Sequence, residues 1–233
     1  MQPEIAQLNS NDHKDVKLVV NRDFSHVEKH HVTPVIAQEI PSLSADLPIA
    51  FIKNSTTGQY MCVAILGFKE EENLLVKDGK WLGPLVPAGF SHHPISLIPL
   101  PEDKSQYSLT IDMASTAITD EGEALFNENG EPTEYLEQRR KSIETYYAYA
   151  LATSDFTKTL VELELLEEKQ FSFQAGEEKR NVNGLYVINE EKFNGLSDEK
   201  FIELRKQGYM APIYGHMLSL AQIPRLVQRI SDK

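Results

Sequence analysis

Apolar residues in the first half of the chain form short runs separated by turn-forming residues, a pattern typical of antiparallel strands. The run Leu47-Pro-Ile-Ala-Phe-Ile52 is followed by a turn at 54–58 and by the returning run Tyr60-Met-Cys-Val-Ala-Ile-Leu66. Polar residues are too rare in these runs for one face to meet water, so they predict a hairpin of buried strands. The same reasoning predicts further strands at 16–20, 73–76, 95–100 and 107–111, a tight turn at 77–80 and a short helix at 34–40.

The pattern changes to a helical spacing after residue 131. Apolar residues recur at helical intervals from Tyr135 to Leu166, Thr133 can cap the first turn, and no proline interrupts. This predicts one long helix, or two helices separated at 153–155. The remaining sequence predicts strands at 170–174 and 184–188 around a polar turn at 176–183, then helices at 198–208 and 216–230.

These elements predict an α+β fold, in which a largely antiparallel, β-rich N-terminal half packs with a long helix and a C-terminal segment of strands and helices. A chain of 233 residues fits one domain, which we expect to span residues 16–230. The first fifteen residues are polar, and we expect them to fray.

The charge balance disfavours a nucleic-acid partner. Lys and Arg number 23 against 35 Asp and Glu, and the formal net charge of -12 repels a phosphate backbone. No window approaches the ~20 apolar residues of a membrane span, and the N-terminus lacks a signal-peptide pattern. We therefore expect a cytoplasmic protein, with surface association as the alternative. The single cysteine, Cys62, lies in an apolar run and predicts a packed thiol.

The segment 81–94 is the main candidate for a binding site. It is dense in Gly, Pro, aromatic and small polar residues, a composition typical of a rigid loop that forms a pocket wall. The alternative is a structural connection whose aromatic residues pack into the core. A second candidate is the segment 213–220, where His216 either faces a cleft or satisfies a buried backbone carbonyl. The candidate ligand-binding residues are Trp81, Phe90, His92, His93, Tyr214 and His216.

The sequence offers little evidence for catalysis. Gly-rich phosphate loops and a Gly-x-Ser-x-Gly elbow are absent, so the sequence discloses no reaction and favours a protein without catalysis, and we expect no cofactor. Two histidine pairs, 30–31 and 92–93, suggest a transition metal as an alternative. Adjacent side chains point in different directions, so a site would need histidines from separate segments plus a carboxylate such as Glu39 or Asp112.

Several short motifs together resemble the SapC family of bacterial proteins. The resemblance extends over residues 16–230, and its strength lies in the order and spacing of the motifs. The matching segments are Leu47-Pro-Ile-Ala-Phe51, Asn73-Leu-Leu75, Asp78-Gly-Lys-Trp81, Val86-Pro-Ala88, His93-Pro-Ile95, Glu123-Ala-Leu-Phe126, Gly184-Leu-Tyr-Val-Ile188 and Ile213-Tyr-Gly-His216. One departure is the segment 87–95, where the family commonly has an arginine and this chain has none.

The resemblance implies a bacterial protein of a family with no settled activity or accepted catalytic residues. Its members are often encoded beside TonB-dependent receptors, flavin-dependent halogenase-like proteins and cupin-like proteins. We therefore expect a non-catalytic binding or accessory protein of nutrient-handling or tailoring gene clusters, which holds a partner protein, a peptide or a small ligand. The alternatives are an enzyme or metal-dependent protein that uses His92, His93 or His216, and a surface-layer or export-associated component.

Overall fold

The computed structural model describes residues 3–19, 23–100, 107–175 and 178–231. In chain order the strands are β1 (Ile5–Gln7), β2 (Lys17–Leu18), β3 (Val32–Pro34), β4 (Ile49–Lys53), β5 (Tyr60–Ile65), β6 (Val76–Lys77), β7 (Lys80–Trp81), β8 (Ile95–Pro99), β9 (Tyr107–Asp112), β10 (Glu123–Ala124), β11 (Leu166–Ala175) and β12 (Glu178–Ile188). The α-helices are α1 (Ser10–His13), α2 (Ile40–Leu43), α3 (Glu134–Glu162), α4 (Glu190–Asn194), α5 (Asp198–Lys206), α6 (Met210–Ser219) and α7 (Ile223–Ser231). Short 3₁₀ turns lie at Ser25–Val27, Ala88–His92 and Leu220–Gln222. Antiparallel sheets and a long helix confirm the predicted α+β fold.

The larger hydrophobic core lies on a five-stranded antiparallel sheet with the order β11-β12-β4-β5-β3. Strands β4 and β5 form the predicted hairpin, and they are buried along most of their length because helices cover the sheet. The Phe51 ring lies 6.4 Å from Phe156 of α3 and 5.2 Å from His216 of α6. Both helices are therefore fastened to the centre of the sheet.

A second core lies under the three-stranded sheet β1-β9-β8. Leu136 and Ile143 of α3 contribute to this core, while Phe156 and Leu160 contribute to the larger one. At 29 residues, α3 is about 44 Å long. One continuous helix thus joins the two cores.

The structure corrects three predictions of local structure. Pro34 ends the edge strand β3 and does not open a helix, since a proline that lacks an N–H is tolerated at a sheet edge. Residues 178–183, expected in a turn, lie in β12, because their backbone pairs with β11 and Val182 packs against the larger core. Residues 5–7 pair with β9 and residues 10–13 form α1, so this part of the first fifteen residues does not fray.

The long helix is unbroken at 153–155, and Thr133 caps it as predicted by accepting a hydrogen bond from the Leu136 N–H. Within the described part of the chain, no helix is long and apolar enough to cross a membrane.

Candidate functional site

The predicted loop at 81–94 lies against α3 and against the segment 24–30. Trp81 opens the loop, and its indole Nε1 donates a hydrogen bond to the Leu85 carbonyl at 2.8 Å. Its ring packs between Phe24, at 5.7 Å, and Phe90, at 5.8 Å. The aromatic residues at both ends of the loop therefore support each other.

Arg139 of α3 holds the far end of the loop. Its Nη1 donates to the carbonyl of Ser91 at 3.2 Å, and its Nη2 donates to the carbonyls of His92 at 2.8 Å and His93 at 3.2 Å. Hydrogen bonds from a charged donor are stronger than neutral ones, and the planar guanidinium can reach several acceptors at once. The backbone of three consecutive loop residues is thereby fixed to one helix.

Glu39 holds the middle of the loop, at Ala88. Its carboxylate accepts one hydrogen bond from the Ile36 N–H at 2.9 Å and one from the Ala88 N–H at 2.8 Å. Burial raises the pKa of Glu39, and the two amide donors partly oppose that rise. At Gly89 the backbone comes so close to α3 that an added Cβ would lie 2.9 Å from the Tyr146 hydroxyl. A residue with a side chain at this position would displace the loop or Tyr146.

Six rings from three separate segments meet where the loop crosses α3. The imidazoles of His26 and His93 stack at 3.9 Å with an angle of 11° between their planes. Phe90 lies 6.4 Å from His26 and 6.3 Å from His30, and His92 lies 5.1 Å from Tyr146. The six ring-bearing residues are His26, His30, Phe90, His92, His93 and Tyr146.

The four histidines in this group are neutral at physiological pH. His26 keeps an exposed edge, but loss of water around its ring and the nearby His93 lower its pKa to about 4. Burial is also the main cause that lowers the pKa values of His30, His92 and His93. The charge of His31 further lowers the pKa of His30, and the charge of Arg139 further lowers the pKa of His92. The charge of Asp112 raises the pKa of His93 and partly opposes the effect of burial.

Two clefts lie on either side of the wall that His26, Phe90 and His93 form. We call the first the histidine cleft, which is lined by His26, Val27, His30, Gly89, Phe90, His92, His93, Ile95, Ser96, Leu97, Ile143, Tyr146 and Tyr147 and has a volume of about 290 Å³. We call the second the arginine cleft, which is lined by Leu18, Val19, Asp23, Phe24, His26, Val86, Phe90, Ser91, His93, Pro94, Tyr135 and Arg139 and has a volume of about 260 Å³.

The structure brings together four of the six predicted site residues. Phe90 and His93 line both clefts, His92 lines the histidine cleft, and Trp81 stands behind Phe90 without lining either cleft. Tyr214 lies elsewhere, exposed on α6 with its ring 5.7 Å from Phe193.

His216 is fully buried in the larger core, where it fastens α6 to the sheet. Its Nε2 accepts a hydrogen bond from the Ile188 N–H at 3.0 Å, and His216 therefore faces the buried backbone and not a cleft. Burial lowers the pKa of His216 to about 4, and an interaction with the Ile49 backbone partly opposes this shift. Nearby, Ser219 Oγ accepts a hydrogen bond from the Ile49 N–H at 3.0 Å, so α6 is hydrogen-bonded to β4 as well as to β12.

Sequence reasoning missed the contributions of His26, Arg139 and Tyr146 to the site. His26 is distant in sequence from the loop, and no local pattern indicates that it stacks on His93. Tyr146 fits the helical spacing of a core residue, and Arg139 fits a solvated helix face. The available signal is Gly89, since a glycine can mark a close approach of the backbone to a neighbouring element.

His93 also contacts a hydroxyl group. Its Nε2 lies 2.9 Å from Ser115 Oγ, which accepts a hydrogen bond from the Ala117 N–H at 3.1 Å. That acceptor role leaves the serine hydrogen available for donation to the imidazole. A serine and a neutral imidazole thus lie within hydrogen-bond distance behind the wall of the two clefts.

The histidines do not assemble a metal site within the described residues. No group of three or more His, Cys, Asp or Glu side chains is placed to hold a metal ion in residues 3–19, 23–100, 107–175 and 178–231. The His26–His93 pair is stacked face to face, a geometry that directs the ring nitrogens away from a shared ligand position.

The comparisons with known proteins give one match. A family model described as SapC matches residues 8–226 of this chain. No curated protein matches the chain, and no solved structure matches it.

Proposed function

This chain belongs to the SapC family, and from that premise we propose that it is a binding protein that holds a small ligand in the histidine cleft. The observation that carries this proposal is the convergence of six rings from the segments 26–30, 90–93 and 146 on one surface cleft. Small-molecule sites are concave, largely apolar and built from few polar groups. The histidine cleft is concave, its lining has no charged side chain among the described residues, and most of its polar side-chain atoms belong to aromatic rings.

The anchoring of the loop supports a binding role over a merely structural connection. Glu39 contacts the loop at Ala88 and Arg139 contacts it at residues 91–93, and five hydrogen bonds to its backbone involve these two side chains and Trp81. A cleft whose wall is fixed before a ligand arrives loses little conformational entropy on binding. The rings of the wall remain at the surface even though their backbone is held.

The proposal includes an accessory role without catalysis, in the cytoplasm, as the sequence leads us to expect. The resemblance to SapC proteins encoded beside receptors and tailoring enzymes is compatible with a protein that retains a small molecule for such partners. A partner protein or a peptide bound at the same cleft is the competing outcome of the test below.

A fragment screen monitored by ¹H–¹⁵N spectra of the whole chain tests the proposal. We expect several fragments at millimolar concentration to shift the amide signals of residues 26–30 and 89–97. A second groove, beside Met61 of β5, has a volume of about 360 Å³. Fragments that shift only the amide signals of that groove would place the ligand there and not in the histidine cleft. Absence of any fragment that shifts the histidine cleft would refute the proposal.

A second candidate function, acyl transfer to Ser115, is favoured by the 2.9 Å contact between its Oγ and His93 Nε2. In that reaction the serine oxygen attacks an acyl carbonyl and His93 accepts the serine proton, then passes it to the alcohol or amine that leaves as its bond to the carbonyl breaks. Water later hydrolyses the acyl–serine ester and releases the acyl group as an acid. A fluorophosphonate probe with mass-spectrometric mapping tests this candidate. Labelling at Ser115 that is lost in His93→Ala would support it, and unlabelled protein would exclude it.

A further inference from the structure

We propose that the ligand of the histidine cleft is a neutral, planar aromatic molecule. This inference rests on the proposed function, because it names the class of ligand that the same cleft takes. It is carried by the rings that line the cleft, by the absence of charged side chains from its lining, and by its volume.

The lining is unusually rich in flat faces and edges. His26 and His93 already stack in parallel at 3.9 Å, and Phe90 meets His26 edge to face at 6.4 Å. Aromatic rings prefer such offset-stacked or edge-to-face partners, with centroids about 4.5–7 Å apart. A planar ring in the cleft could continue this arrangement, whereas a saturated ring is too thick and lacks the quadrupole that favours it.

The lining carries no Asp, Glu, Lys or Arg side chain among the described residues. Burial lowers the pKa values of His26, His30, His92 and His93, and it raises that of Tyr146. The pKa of Tyr147 is raised mainly by its hydrogen bond with Tyr107. All the titratable groups of the lining are therefore uncharged near pH 7, within a protein whose formal charge is -12.

A neutral lining selects against charged ligands. An ion that enters the cleft gives up water and finds no opposite charge in return. Arg139 does not alter this conclusion, because both of its Nη atoms donate to loop carbonyls on the side of the arginine cleft. The imidazole nitrogens and Ser96 can still serve polar edges of a neutral ligand.

The volume limits the size of the ligand. Sites for drug-sized molecules span ~300–1,000 Å³, so a cleft of about 290 Å³ suits one ring or two fused rings. A long chain or a folded peptide segment would extend beyond the ring-lined surface.

Four matched probes test the proposal by ¹H–¹⁵N titration of the whole chain at pH 7. Benzamide is neutral and planar, cyclohexanecarboxamide is its saturated counterpart, and benzoate and benzamidine are its anionic and cationic counterparts. We expect benzamide to shift residues 26–30 and 89–97 with a Kd on the order of millimolar, as its few atoms allow. The other three probes should bind about tenfold more weakly. Cyclohexanecarboxamide cannot stack on the rings, and benzoate and benzamidine would each bring a charge that finds no partner in the cleft.

Two variants locate the binding and one serves as a control. Phe90→Ala should weaken benzamide binding about fivefold, because a ring of the wall is removed. His26→Ala should also weaken benzamide binding. Because His26 is exposed, this variant should stay folded even if Phe90→Ala is destabilised. Phe173→Ala is the matched control, since this ring packs against Phe68 at 4.5 Å on the β11–β12 hairpin. It should leave the affinity unchanged.

The possible failures are distinguishable. Equal affinities for benzamide and cyclohexanecarboxamide at the cleft would overturn the aromatic class while the binding function stands. Tighter binding of benzoate or benzamidine would overturn the neutral class in the same way. If neither these probes nor any fragment of the screen shifts the cleft, the proposed function fails together with this inference.

Discussion

His216 illustrates how a single buried residue couples this fold to pH. Its imidazole is 0 % exposed and accepts a hydrogen bond from the Ile188 N–H, so the folded state holds it neutral with a pKa of about 4. In the unfolded chain the pKa returns to about 6.5. Between these two values the unfolded state binds the extra proton, and the free energy of unfolding therefore falls as the pH falls.

We predict that this effect lowers the free energy of unfolding by about 2 kcal/mol between pH 7 and pH 4.5. The variant His216→Gln cannot titrate, so its stability should depend less steeply on pH in that window. Urea unfolding at a series of pH values measures the difference. Parallel curves for wild type and His216→Gln would contradict this account of His216.

Arg139 is the residue on which the shape of the candidate site depends most. A lysine at this position has one donor nitrogen and cannot reach the carbonyls of Ser91, His92 and His93 in the same geometry. We predict that Arg139→Lys lowers the free energy of unfolding by about 1–3 kcal/mol and accelerates hydrogen exchange at the amides of residues 90–93.

Arg140→Lys provides the control for this substitution. Arg140 is the next residue of α3 and makes a surface ion pair with Glu137 at 3.3 Å. Surface pairs of this kind contribute about 0–1 kcal/mol, so the control should change stability by less than about 0.5 kcal/mol and leave loop exchange unaltered. Equal effects of the two substitutions would mean that Arg139 does not hold the loop.

At the scale of elements, α3 is attached to the sheet region by more than apolar packing. Thr153 is buried, and its Oγ1 accepts a hydrogen bond from the Ala37 N–H at 2.8 Å while it donates to the Tyr149 carbonyl at 2.7 Å. The first of these bonds joins the helix to the segment between β3 and α2, which also carries Glu39. The position of α3 and the position of the loop are therefore linked through one segment.

We predict that Thr153→Val, which keeps the shape but removes the hydroxyl, destabilises the protein by about 1–3 kcal/mol by leaving the Ala37 N–H without its acceptor. Thr159→Val is the matched control, because the Thr159 hydroxyl only donates to Asp155 of its own helix. The control should change the free energy of unfolding by no more than about 0.5 kcal/mol. The free energies of unfolding of both variants, measured by chemical denaturation, show whether this hydrogen bond or apolar packing alone holds α3 in place.

The elements of this fold differ in how far the sequence predicts them. The long helix and the hairpin of β4 and β5 follow from periodicity and from apolar runs, which are local signals. Strand β3 does not follow from the sequence because it is placed by pairing with β5, which overrides local preference. The outer part of β12 does not follow from it because its polar residues lack the apolar pattern of a strand, although they pair with the adjacent β11. In the site, the loop at 81–94 was predicted from composition, whereas the stacking of His26 on His93 depends on the path of the chain across α3.

At the scale of the whole molecule, a neutral cleft lies on a protein with a formal net charge of -12. Glu39 and Arg139 lie next to the site, but their charges are used to fix the loop backbone. The surface thus repels anions at long range, while the cleft itself presents rings and uncharged imidazoles. Binding should consequently depend little on ionic strength, in contrast to sites that recognise a charged ligand.

The most direct test of the central claim is a crystal structure of the full chain soaked with benzamide. The account predicts planar density in the histidine cleft, stacked on or edge-on to Phe90 and His26, with the loop at 81–94 unmoved. Density for benzamide only outside this cleft, or a cleft closed by its own side chains, would contradict the assignment of this surface as the ligand site.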